Sequence, residues 1–365
     1  MSDSKSFPLF EARGTPRELG RQHGAQAAAQ VRGFLDFIAA MLKLSRSELR
    51  SRALRFLPLF ETHCPHLVEE IRGLAEGAAV DFADALALQM RAELGQLPGE
   101  ACTTFVIAAR GTAGGGILIG QNSDMDPEYE QYGYMLRLVP SPREGEGGEP
   151  SAAILMWTFG GQLGYHGLNA HGVAHFANAL GGGPPWKFGL SHYPIKRMML
   201  EQRTIGEVRL VLHHVPVCSN GNYVVCDGQG RIGDIELTPS GFAFVENERF
   251  LVHTNHFLCG KHACAANHNV SVPDSFPRLE RARQLVGEMF GHITVDDMKH
   301  VLADHAGFPT SICRHPHDGP DHPSVSARGY TAASLIAEPA RGLIHVCRGN
   351  PCTGTFATCE LQSGS

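Results

Sequence analysis

Residues 100–124, EACTTFVIAARGTAGGGILIGQNSD, hold two apolar runs of strand length around a glycine-rich turn. The turn, GTAGGG (111–116), is followed by a second strand. A phosphate loop instead needs glycines that lead into a helix, whose N-terminus faces the phosphate. The stretch therefore predicts a β-hairpin. It opens on Cys102 and two threonines, just after small Ala101 and a Pro98-Gly99 bend. Two readings of Cys102 follow. One is a buried free cysteine, packed as a small hydrophobe. In the other, its thiol attacks the Ala101 carbonyl, takes the acyl group in an N-to-S shift, and water then releases residues 1–101. Cys102 would become an N-terminal residue whose own α-amino group, with an ordinary pKa of about 7.7–8.0, serves as general base. Nucleophile and base then share one residue.

Upstream of the hairpin the pattern is helical, from residue 15 to about 95. Thr15, Pro16 and Glu18 make a capping box with proline at the first helical position. Leu19, His23, Ala27, Val31, Leu35 and Ile38 then recur at helical spacing. PHLVEEIRGLAEGAA (65–79) and DFADALALQMRAEL (81–94) continue it, with Asp81 a candidate N-cap. GQLPGE (95–100) ends the helical region. Downstream, YMLRLVP (134–140), AAILMWTF (152–159) and GVAHFANAL (172–180) predict strands, with REGEGGEP (143–150) a polar hairpin tip. Helices are predicted at 193–204 and 295–305, and strands again within 222–239, 249–257, 332–339 and 342–349. Helices, sheet, helices and sheet in that order predict an α+β layered fold.

Composition narrows the function classes. The 365 residues can bury a large core, and the charge of −6 without a like-charge run argues against nucleic acid or an anionic membrane as partner. The first 20 residues lack a signal peptide's apolar core, and no segment offers the roughly 18 apolar residues of a membrane span. Ten cysteines without a CxxC pair predict free thiols in a reducing cytoplasm. Histidines are dense in 253–268 and 315–323, but His262 and Cys264 have no matching second pair. No metal and no cofactor are therefore expected, and the loop histidines are read as solvated.

ACTTF and GQNSD stand in order with GTPRELGRQHG (14–24), GLNAHGVAHFANAL (167–180), VHTNH (252–256) and FPTSICR (308–314). Together they resemble the isopenicillin-N acyltransferase family, over residues 14 to about 350. That family belongs to the N-terminal nucleophile hydrolases, made as precursors that cut themselves before a cysteine. The resemblance implies a four-layer αββα sandwich, with residues 1–101 as a helical leader and 102–365 as the catalytic part of one structural unit.

It also implies roles for particular residues. Asp124 would orient the new α-amino group and adjust its pKa. Asn255 would donate to the oxyanion, with Asn178 a second donor by side chain or backbone. Arg314 would favour the thiolate or hold a substrate carboxylate. Ser311 either lines the site or caps its loop. Trp186 and Phe188, on the loop 181–194, either line an acyl pocket or pack the loop onto the sheet, and Tyr165 is a further candidate substrate contact. Two departures fall on the pocket wall: Ser123 stands where the penicillin-processing member has tryptophan, and Asn220 is the nearest match to that member's site serine. The substrate is thereby open and the mechanism is not. The expected reaction is cleavage or transfer of the acyl group of a small N-acyl amide through a thioester on Cys102. An acyl-CoA substrate, or a non-maturing binding module of the same fold, are the alternatives. An oligomer of cleaved heterodimers is compatible with the resemblance.

Overall fold

The structure, a computed structural model, describes residues 6–95, 101–142, 152–260, 273–317 and 329–362. The Pro98-Gly99 bend, the polar tip at 143–150, and His262 with Cys264 lie outside these residues. Two sheets form the centre, with helices on both outer faces, as the αββα expectation requires. The first sheet has eight strands: β1 (Leu9–Gly14), β4 (Gly133–Pro140), β5 (Ile154–Phe159), β6 (His166–Asn169), β7 (Ala174–Ala179), β8 (Gly221–Cys226), β9 (Ile232–Thr238) and β10 (Gly241–Asn247). The second has six, in the order β11 (Phe250–His253), β2 (Ala101–Ile107), β3 (Leu118–Met125), β12 (Tyr330–Glu338), β13 (Leu343–Arg348) and β14 (Phe356–Glu360).

The hairpin of 100–124 is present as the antiparallel pair β2–β3 at the centre of the six-stranded sheet. Both strands are buried along their whole length, which accounts for their near-continuous apolar character. Helices Ser275–Met289 and Val295–Leu302 cover the outer face of this sheet. There Phe105, Ile107, Leu118 and Val252 form one apolar cluster with Leu279, Ala282, Val286 and Met298.

The N-terminal region is helical as predicted, with the Thr15 capping box formed on helix Pro16–Gln26. Its core positions Val31, Phe34, Leu35 and Ile38 are fully buried in the same cluster as the eight-stranded sheet. Asp81 does occupy the N-cap position of helix Phe82–Ala87, but it makes no side-chain cap and pairs with Arg50 instead. Sequence pattern predicts no strand at Leu9–Gly14, yet LFEARG pairs in parallel with β4 and so joins the N-terminal segment to the sheet. Its mixed burial, with only Ala12 buried, is that of an edge strand and leaves no clean alternation to read. Nor does the pattern predict helix Ser275–Met289, whose Pro277 falls in its first turn, where proline is tolerated.

Candidate active site

Alternation along β2 sets where Cys102 points. Phe105 and Ile107 belong to the cluster under helix Ser275–Met289, whereas Val106 belongs to the main core. Successive side chains in a strand take opposite faces, so Cys102 shares the face of Val106, towards the eight-stranded sheet. The residue is 5% exposed. Register places Ser123 opposite Cys102 and Asp124 opposite Ala101, so the carboxylate stands beside the Ala101–Cys102 peptide.

Around this peptide lies a buried polar cluster drawn from five distant parts of the chain. The Cys102 backbone N–H donates to Asn255 Oδ1 at 3.0 Å. Arg278 Nη2 donates to the same oxygen at 2.8 Å, while its Nη1 donates to the Cys102 carbonyl at 2.7 Å and Thr103 Oγ1 at 2.9 Å. Arg278 Nε donates to Asp274 Oδ2 at 2.8 Å. Asp274 also pairs with Arg314, whose Nε lies 3.4 Å from Asp124 Oδ2. Thr331 donates its hydroxyl to Asp124 Oδ1 at 2.7 Å and accepts from the Arg314 backbone N–H at 2.9 Å. Two carboxylates thus face two guanidiniums, the pairing that makes burial of such charges tolerable.

Electrostatics follow from that arrangement. Burial pushes the Asp124 carboxyl up, against the opposing pull of Arg314, Arg278 and the Thr331 hydrogen bond. Burial likewise pulls Arg278 and Arg314 down, while Asp124 and Cys102 favour their charged forms. The effect is reciprocal: two guanidiniums near a thiol favour the thiolate.

The structure brings Cys102, Asp124, Asn255 and Arg314 together. Asn255 presents its carbonyl to Cys102, and its Nδ2 donates to the Ala179 carbonyl at the end of β7 at 3.0 Å. Asn178, also at that end of β7, donates to the His253 carbonyl at 3.4 Å and accepts from Asn222 at 3.5 Å. Ser311 serves its own loop, donating to the Cys313 carbonyl at 2.7 Å. Asn220 staples the 181–194 loop through the carbonyls of Gly182 and Pro184, at 2.8 and 3.0 Å.

Other candidates fall elsewhere. Trp186 and Phe188 line a cleft of about 570 Å³ with Arg55, Phe56, Glu93 and Cys218, and none of the cluster around Cys102 lines it. Tyr165 is buried among Trp157, Phe159 and Tyr193, with the Lys196 ammonium 4.1 Å above its ring. That is packing between the sheet and helix His192–Met199, which corrects its reading as a substrate contact. The histidines of 253–256 are not solvated, since both His253 and His256 are buried and His253 Nε2 lies 3.0 Å from Glu236 Oε1. His315, half-buried, sits among His305, Cys313 and Cys352. Arg278, Asp274 and Thr331 were not predicted. The one sequence signal for the first two is Asp-to-Arg spacing of i,i+4 in DSFPRLER (274–281), which is common on ordinary helix surfaces.

The sequence signature of the acyl-coenzyme A:6-aminopenicillanic acid acyl-transferase family matches residues 111–352. The chain belongs to this family. The 40 kDa form of acyl-coenzyme A:6-aminopenicillanic-acid-acyltransferase from Emericella nidulans is 26% identical over 347 residues, 93% of this chain and 91% of that protein. Among solved structures, penicillin V acylase from Agrobacterium tumefaciens superposes with a TM-score of 0.50 at 14% identity, covering 71% of this chain and 86% of that one. A mutant form of conjugated bile acid hydrolase from Clostridium perfringens gives 0.48 at 12% identity, over 71% and 96%. This acyl-transferase family member is therefore an enzyme, and it shares its layered α+β fold with penicillin V acylase. Among its described residues, no helix is long and apolar enough to cross a membrane.

Proposed function

We propose that the chain matures by cutting itself between Ala101 and Cys102, and that the new N-terminal cysteine cleaves or transfers the acyl group of a small N-acyl amide. The observation that carries this reading is the Cys102 peptide itself. Its N–H lies 3.0 Å from Asn255 Oδ1, and its carbonyl accepts from Arg278, inside a buried cluster that also holds Asp124 and Arg314. A merely structural cysteine needs none of these partners.

In maturation, the Cys102 sulfur bonds to the Ala101 carbonyl carbon as the Ala101–Cys102 C–N bond breaks, and the nitrogen leaves as an amine. Water then hydrolyses the thioester, freeing the Ala101 carboxylate and the thiol. Asn255 Oδ1 is placed to accept from the amine as it accepts from the peptide N–H, and so to hold it beside the sulfur. In turnover the thiol proton passes to that amine, the thiolate adds to the substrate carbonyl, and the ammonium returns the proton to the leaving amine. Arg278 and Arg314 favour the thiolate through their charge. Asn255 Nδ2 and Asn178, both near the end of β7, supply oxyanion donors. Water resolves the thioester in hydrolysis, and a second amine resolves it in acyl transfer.

The relative from Emericella nidulans is named for transfer from acyl-coenzyme A to 6-aminopenicillanic acid. The different pocket residues here, Ser123 and Asn220, support a different small acyl acceptor. The leader stays bound after cleavage, held by β1 in the eight-stranded sheet and by its buried helices. A reducing compartment suits a free cysteine nucleophile.

Intact mass spectrometry tests the proposal. Wild-type protein should give fragments 1–101 and 102–365 that co-elute from a sizing column, and Cys102→Ala should stay in one piece. Incubation with a panel of N-acyl amino acids and acyl-CoA thioesters should add one acyl group to the larger fragment, at Cys102. A wild-type chain that turns over substrate while remaining intact would sink the maturation scheme.

A further inference from the structure

On the far side of Arg314 from the active site, four side chains converge: His305, Cys313, His315 and Cys352. One ligand atom from each lies within 4.8 Å of all the others. The separations are specific. Cys313 Sγ and Cys352 Sγ are 3.8 Å apart, and His315 Nε2 lies 3.5 Å from the first and 3.2 Å from the second. His305 Nε2 and His315 Nε2 are 3.0 Å apart. A tetrahedral zinc ion with bonds of about 2.3 Å to sulfur and about 2.0–2.1 Å to nitrogen has edges of about 3.8 Å between sulfurs, about 3.5 Å between sulfur and nitrogen and about 3.3 Å between nitrogens. Four of the six separations sit close to those edges, and the two from His305 to the sulfurs are within 4.8 Å.

We infer that His305, Cys313, His315 and Cys352 form a structural site for a tetrahedral thiophilic divalent cation, zinc being the one whose bond lengths they fit. Two sulfurs and two imidazole nitrogens are the donor set that such an ion prefers. With four protein ligands the coordination is closed, so the ion holds structure and activates no water. Binding replaces the two thiol protons, which leave to solvent, and involves no change of oxidation state.

The surroundings support this. Asn350, buried, donates Nδ2 to Cys313 Sγ at 3.7 Å and also bonds the Arg314 carbonyl, so one amide steadies both a ligand and the residue next to it. Hydrogen bonds of this kind orient ligands in thiolate sites. His305 and Cys352 are exposed, which leaves an entry path, whereas Cys313 is buried. A disulfide is the competing use of the two cysteines, but 3.8 Å is far from a bonded S–S distance of about 2.05 Å.

The ion would tie the segment 305–315 to the turn after β13, and Arg314 lies between two of its ligands. Cys313 and His315 face Cys352, while the Arg314 guanidinium faces Asp124 and Asp274. The site would therefore be a positioning element for Arg314, outside the reacting groups.

The test uses the full chain purified under reducing conditions. Metal analysis after exposure to zinc and gel filtration should find one zinc per chain. Replacement by cobalt should give the intense visible bands of a tetrahedral ion together with thiolate charge transfer in the near ultraviolet. The double variant His305→Ala/Cys352→Ala, which alters only exposed side chains, should lose both signals and keep its circular dichroism spectrum. Chelation should lower the thermal midpoint of the wild type and leave that of the double variant unmoved. Absence of bound metal in wild-type protein, an octahedral cobalt spectrum, a Cys313–Cys352 disulfide in the reduced preparation, or a full zinc equivalent retained by the double variant would each overturn the site.

Discussion

Removing the Asn255 amide would leave the Cys102 N–H and Arg278 Nη2 each short of an acceptor, because both donate to its Oδ1. Asn255→Ala should therefore destabilise the fold, by about 1–3 kcal/mol for the buried groups left unpaired. It should also lower kcat by roughly 10²–10³, the usual cost of an oxyanion donor. Asn255→Asp separates the two effects, since it keeps the acceptor and loses the Nδ2 donor. That variant should mature and fold yet share most of the loss in kcat, and full activity in it would remove Asn255 as a donor. Arg278→Lys should fold less stably and leave more uncleaved chain by mass, because an ammonium cannot span Asp274, Asn255 and the Cys102 carbonyl together. Complete cleavage at the wild-type rate would reduce Arg278 to a packing residue. Cys102, Asp124, Asn255 and Arg314 were legible because each lies in a short motif, ACTTF, GQNSD, VHTNH or SICR. Arg278 was not, since its one signal, the i,i+4 spacing from Asp274, is common on ordinary helix surfaces.

At the level of elements, helices Pro16–Gln26 and Pro65–Ala78 pack almost backbone to backbone. A Cβ added at Gly20 would lie 1.9 Å from the Glu70 carbonyl oxygen, and one at Gly73 would lie 2.1 Å from that of Arg17. Backbone cannot rotate out of the way, so Gly20→Ala must push the helices apart. Its gain in helix propensity, about 1 kcal/mol, is outweighed by overpacking of roughly 1–3 kcal/mol or more in a close contact. The urea midpoint of Gly20→Ala should fall, and an unchanged or higher midpoint would show that the helices can separate freely. These helices were readable from their 3.6-residue periodicity and the Thr15 capping box. Strand β1 and helix Ser275–Met289 were not, because the pattern of an edge strand or a proline-led helix depends on what lies beside it.

Across the folded chain, acid stability should be poor. Burial holds His23, His175 and His192 down to about 3, and puts His166 well below its usual 6.5. The unfolded chain takes up these protons below about 6.5, whereas the folded chain resists them. Their stabilisation is therefore whole above that pH and is lost as pH falls, by up to about 2 kcal/mol for each group between pH 6.5 and 5. His253 has the opposite sign: Asp234 and Glu236 outweigh burial and raise its pKa, so its contribution is present below 6.5 and lost as pH rises through the folded value. His256, held down to about 4, and His315, also lowered, add to the same side, so six histidines against one predict a urea midpoint that drops steeply from pH 7.5 to 5, with a shallower slope in His23→Gln. A midpoint flat across that range would refute this account. His175 illustrates the cause: its burial, with the Lys196 charge, lowers its pKa and outweighs the Lys196 carbonyl 2.9 Å from its Nε2, which favours the protonated ring.

The α+β order, the central hairpin with Cys102 at its head, and the short motifs around it could all be read along the chain. Those are local properties: side-chain periodicity, capping and turn chemistry act over a few residues. Which distant residues complete the site was settled only by the packing of the layers. Packing brings Arg278 to the Cys102 carbonyl across 176 positions, sets Asp124 beside Ala101 by strand register, and turns Tyr165 and His175 to the helix layer. It also gathers Cys352 with Cys313, 39 positions away. Such contacts follow from how sheets and helices stack, and a shift of one residue in register would send each strand side chain among them to the opposite face.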